Sequence, residues 1–115
     1  MSAAEIAELN DRLRQTFTGG RVLMTAQVVA LDPGVRAEVL ERVRTFTDFN
    51  AGNDPYGEHD FGVVDVQDER YFFKIDYYER HSAERPDLSM RFGSENPGDP
   101  TVTARVLTIG RMSDL

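Results

Sequence analysis

The chain has 115 residues, 40% of them hydrophobic and 29% charged, with a net charge of −7, no cysteine and no tryptophan. That length suits one domain, residues 1–115, burying roughly two thirds of its unfolded surface without covalent staples. The missing cysteines exclude disulfides, thiolate metal sites, iron–sulfur clusters and cysteine nucleophiles.

Ser2-Ala3-Ala4-Glu5 has the spacing of a capping box. Ile6, Leu9, Leu13 and Phe17 follow at helical spacing, with Glu8, Asp11, Arg12 and Arg14 off the stripe. The helix is expected to stop near Gly19-Gly20. Arg21 to Leu31, RVLMTAQVVAL, is apolar and β-branched and reads as a buried strand. Asp32-Pro33 then supplies an N-cap and a first-turn proline. Val35, Val39, Val43 and Phe46 make the apolar stripe of a second helix, with Leu40 beside it.

Residues 47–60 (TDFNAGNDPYGEHD) carry turn chemistry throughout. FGVVDV (61–66), a turn near 67–69 and RYFFKIDYYE (70–79) form an antiparallel hairpin. Tyr71, Phe73, Ile75 and Tyr77 share its expected core face. Residues 80–98 read as a polar, mobile loop, the least ordered internal segment. In 101–112 the helical spacing of Val102, Val106, Ile109 and Met112 opposes a β-branched composition. Strand parity breaks at Val106-Leu107, and a C-terminal helix is preferred over a strand. The expected class is α+β: helix, strand, helix, hairpin, then helix or strand. A short, mostly antiparallel sheet carries helices on one face. No apolar run approaches the ~20 residues of a membrane span. The opening MSAAEIAELND lacks the regions of a signal peptide, so a cytoplasmic domain with no membrane role is expected.

Charge is unevenly placed. Residues 1–47 and 80–115 are each net neutral, whereas 48–79 set nine acids against Arg70 and Lys74. That excess of seven is the whole net charge. It disfavours direct nucleic-acid binding and suits a basic partner surface. Asp54, Tyr56, Glu58, His59, Asp60, Asp65, Asp68, Glu69, Asp76 and Tyr78 are the candidate binding residues. His59 beside a carboxylate, with Asp76 as partner and Tyr77 or Tyr78 as donor, has the groups for acid–base chemistry. The alternative function is therefore a small enzyme or divalent-metal domain built on Asp54, Glu58, His59 and Asp76. One histidine in the cluster, no cysteine and no EF-hand spacing argue against a metal, and neither metal nor cofactor is expected. The loop 53–60 is expected to be ordered and bonded to the hairpin through Asp54, His59 or Asp60.

The stretches Asn53–Gly62 (NDPYGEHDFG), Lys74–Glu79 (KIDYYE) and Thr103–Ile109 (TARVLTI), with Gly19–Val22 and Leu9-Asn10-Asp11, resemble a bacterial domain-of-unknown-function family numbered 3768. The resemblance covers nearly the whole chain and supplies no catalytic assignment. It implies a setting in plasmids, phages and other mobile elements, mainly in alphaproteobacteria, often beside anti-restriction genes. Joined to the charge division, that setting suggests a non-enzymatic acidic protein of anti-CRISPR or anti-restriction type. It would occupy the basic nucleic-acid-binding surface of a host defence complex.

Overall fold

The computed structural model describes residues 2–80, 94 and 96–115. Helix α1 (Ala3–Thr16) opens on Ser2, whose Oγ accepts the Glu5 N–H at 3.2 Å. It ends earlier than its glycines suggest. Phe17 adopts the left-handed conformation (φ 56°) and donates its N–H to the Leu13 carbonyl at 2.8 Å. Strand β1 (Arg21–Met24) is shorter than the expected run to Leu31, because Ala26–Val29 coil into the short helix α2. Thr25 ends the ladder with a bond to Ile109, and the Gln27 amide turns to Asp114 at 2.6 Å. Helix α3 (Pro33–Arg44) begins after Asp32, with Pro33 in its first turn.

The hairpin follows as β2 (Phe61–Val66) and β3 (Glu69–Glu79). Its two-residue turn, Gln67-Asp68, has positive φ at both positions (50° and 67°), which matches the twist of the flanking strands. Residues Thr103–Arg111 form strand β4, not a helix, and a 3₁₀ turn (Met112–Asp114) closes the chain. The β-branched composition prevails over the helical period because β4 is a central strand. Val106 and Leu107, adjacent and on opposite faces, are both buried, so no alternation remains to be read.

The sheet order is β1-β4-β3-β2, with β1 parallel to β4 and the other pairs antiparallel. One face carries Val64, Val66, Tyr71, Phe73, Ile75, Leu107 and Ile109 against Leu13 of α1, Val39 and Val43 of α3, and Val28 of α2. Tyr71, Phe73, Ile75 and Tyr77 do share this face, as the pattern of the hairpin requires. The helices therefore lie on one face of a mixed, mostly antiparallel sheet. Phe72 is also buried, on the other face, where Gly110 makes room for it. A Cβ on Gly110 would lie 2.7 Å from both the Phe72 ring and Thr25 Cγ2. Among the described residues, no helix is long and apolar enough to cross a membrane. The expected mobile loop 80–98 lies mostly outside the described residues.

A latched acidic loop as the candidate functional site

The segment between α3 and β2 is built from side chains that bond their own backbone. Asn50 Oδ1 accepts the N–H groups of Gly52 and Asn53 at 2.8 and 3.2 Å, and Asn53 Oδ1 accepts that of Asn50 at 2.9 Å. Asp54 is buried, and its Oδ1 accepts the Glu58 and His59 N–H groups at 3.0 and 3.1 Å. These bonds hold His59 in the left-handed region (φ 57°), uncommon outside glycine, asparagine, aspartate and histidine. That twist turns the imidazole toward α1.

There Nδ1 lies 3.0 and 3.1 Å from the two Asp11 carboxylate oxygens. A carboxylate only accepts, so Nδ1–H is the donor. The ring stacks on Phe49 at a 4.1 Å centroid distance and 2° tilt, and Nε2 is 3.8 Å from Asp54 Oδ2. Asp11 also accepts from Arg14 Nη2 at 2.8 Å. Arg14 is buried, and its Nη1 donates to the carbonyls of Val43, Arg44 and Phe46 at 3.0, 3.2 and 2.9 Å. One guanidinium thus caps the C-terminus of α3, whose last carbonyls have no partner inside the helix. An open groove of about 610 Å³ runs beside this latch, lined by Ala4, Ala7, Glu8, Asp11, Gly57 and His59 among others.

A second connection lies deeper. The Tyr77 hydroxyl donates to Glu58 Oε1 at 2.8 Å and accepts from Asn10 Nδ2 at 2.7 Å. Asn10 also donates to the Glu58 carbonyl at 3.0 Å, and its Oδ1 accepts from Arg105 Nε at 2.9 Å. Arg105 further donates to the Pro97 carbonyl and sits 5.2 Å from the Tyr77 ring centroid. Burial pushes the Tyr77 hydroxyl far up and the Arg105 guanidinium down from their usual values. Asp60 is raised above the ordinary carboxylate value by burial first, then by Glu58, Asp54 and Asp76.

The expected pairing of His59 with Asp76 does not occur. Asp76 points to the opposite face of β3 and pairs with Lys74 at 3.4 Å. Asp54, Glu58 and His59 do come together. The loop joins the hairpin through Glu58–Tyr77 and through the Asp60 carbonyl, which accepts the Ile75 N–H at 2.8 Å. Neither the Asp54 nor the His59 side chain makes that connection; His59 ties the loop to α1. Tyr56 projects from the loop at 78% exposure. Asp65 and Glu69 pair with Arg70 and Arg111 at 3.4 and 2.7 Å, while Asp68 is exposed in the turn. Tyr78 is half-buried opposite Ala104. Among the described residues, no three His, Cys, Asp or Glu side chains are grouped to hold a metal ion.

Asn10, Asp11, Arg14, Phe49 and Arg105 were not candidates on sequence grounds. Asn10 and Arg14 follow Ile6 at four-residue steps, so they share its side of α1. That spacing is the one signal that placed them inward.

The molecule is thus a small α+β domain whose acidic loop is latched to its first helix and its sheet. The chain belongs to the family described as "Protein of unknown function (DUF3768)", which matches residues 24–114. The match includes the C-terminal GRMSDL up to Asp114. No curated protein and no solved structure matches the chain.

Proposed function

We propose that this is a non-enzymatic binding protein that sets its acidic loop and hairpin on a basic protein surface. One observation carries the reading. The segment that holds the entire excess of seven negative charges is a single ribbon, loop 47–60 and β2–β3, at one side of the sheet. Within it the carboxylates lie close to one another: Asp60 is raised by burial first, and Glu58, Asp54 and Asp76 add to that rise. Such a field speeds encounter with a cationic surface, and an exposed aromatic such as Tyr56 then adds contact area. The partner surface that suits it best normally holds nucleic acid, as in a host defence complex countered by a mobile element.

Capture from a bacterial lysate at low salt, with elution by salt or by duplex DNA, tests this. Asp48 and Asp68 are the cleaner charge probes. Both are exposed and neither makes an ion pair among the described residues, unlike Asp65 and Glu69. Asp48→Asn with Asp68→Asn is expected to slow association, and Tyr56→Ala to speed dissociation. A captured partner held equally by all variants, at every salt concentration and in excess DNA, overturns the proposal. An acid–base reading has one observation in its favour, the His59–Asp11 contact at the edge of the groove. It predicts a turnover abolished by His59→Ala and untouched by the Asp48 and Asp68 changes.

A further inference from the structure

Strand β1 ends one side of the sheet, with β4 on its inner side. The Thr25 N–H donates to the Ile109 carbonyl at 3.0 Å. In a parallel ladder, alternate residues address the same neighbour. Arg21, Leu23 and Thr25 therefore address β4, and the N–H and C=O of Val22 and Met24 point outward. Such a row is a template for another strand, and natural edges are commonly blunted by lysine or proline. The β1 sequence RVLM has neither, and no acid occurs between Gly19 and Leu31. Leu23 and Met24 are 40% and 39% exposed. Val29, Met112 and Leu115, all exposed, gather at the same corner, where Asp114 bonds Thr25 Oγ1 at 2.7 Å.

We propose that β1 pairs antiparallel with β1 of a second copy of this chain, centred on Leu23, joining two sheets into one. This register is self-complementary in three respects. Val22 stands opposite Met24, so the outward groups exchange hydrogen bonds, and symmetry repeats the pair. Faces also match: Val22 and Met24 lie on the helix-covered face, and Arg21, Leu23 and Thr25 on the other. A one-residue slip would break that match. Arg21 of each copy stands opposite Thr25 of the other, beside the Asp114 carboxylate.

Charge does not stand against a second copy at this edge. The acidic ribbon begins at β3, two strand spacings from β1, roughly 10 Å. That exceeds the Debye length of about 8 Å at 0.15 M salt, so the two acidic ribbons do not oppose the seam. A strand seam alone covers less than the ~800 Å² per partner of a standard interface. The proposed interface extends over the exposed Val29, Met112 and Leu115. The inference is independent of the proposed function, although such a dimer would carry one acidic ribbon at each end.

Sedimentation equilibrium of the full chain tests it. Wild type is expected at twice its 13.0 kDa chain mass, in low and high salt alike. Leu23→Lys sets two ammonium groups against each other at the symmetry centre. Met24→Pro removes an outward N–H and leaves the β4 bonds intact. Both variants are expected at 13.0 kDa with wild-type circular dichroism. If one of them fails to fold, the other decides. A wild type that stays monomeric, or a dimer that persists in the folded variants, overturns the proposal. A monomer that binds an added strand peptide instead assigns the edge to a different occupant and overturns it as well.

Discussion

Arg14 is the residue whose loss should reveal how the loop is held. It is 1% exposed and connects α1 to three carbonyls at the end of α3 and to Asp11. Arg14→Met keeps much of the side-chain volume, so no large cavity confuses the result. Each hydrogen bond from a charged donor contributes about 1.5–3 kcal/mol. The Arg44 and Phe46 carbonyls are bonded in part-buried surroundings, so water replaces some of the loss. The expected cost is about 3–5 kcal/mol, the range for removing one partner of a buried charged pair. For a chain of this size that lowers Tm by roughly 10–20 °C. Denaturant unfolding followed by circular dichroism measures it. Amide exchange should show the extra opening concentrated at the end of α3 and in 47–60. Arg14→Lys should fall between, because one ammonium cannot span the same acceptors. A loss below about 1 kcal/mol for Arg14→Met would refute the capping argument. It would mean that the apolar packing of α3 holds this end unaided.

The raised Asp60 carboxyl gives a pH test with a defined sign. The folded protein disfavours its charged form, so stability is lost as pH rises from the unfolded value of 3.8 through the folded one. Asp60→Asn should therefore stabilise the protein at neutral pH, with the gain vanishing below about pH 3.8; melting curves at both ends check it. Tyr77→Phe removes the donor to Glu58 and the acceptor of Asn10, at a cost of about 1–3 kcal/mol in thermal unfolding. In an ultraviolet titration the variant should lack the tyrosine that ionises last, since burial raises Tyr77. Gly110→Ala should destabilise by about 1–3 kcal/mol through overpacking against Phe72 and Thr25, and Phe72→Leu in the same chain should recover part of it.

Local chemistry in the sequence was enough for the starts of α1 and α3, the hairpin and the loop. Ser2, Pro33 and the turn residues of 47–60 act on their own neighbours, so their roles do not depend on the rest of the fold, whereas the Asp32 side chain makes no cap bond to α3. The same holds for the core face of β3, where alternation lets Tyr71, Phe73, Ile75 and Tyr77 be read in line. The uneven charge is likewise a property of the chain alone.

Long-range contact decided the rest. Strand β4 lies at the centre of the sheet with both faces buried, which erased the alternation that would have named it. Arg14 looked like a solvent-facing charge until α3 brought three carbonyls to it, and a buried arginine is tolerable only with such acceptors. His59 met Asp11 across 48 residues, while Asp76, nearer in sequence, pointed through the sheet to the other side. Side-chain pairing between distant segments depends on strand register and helix placement, and neither is encoded in the spacing of the residues that meet.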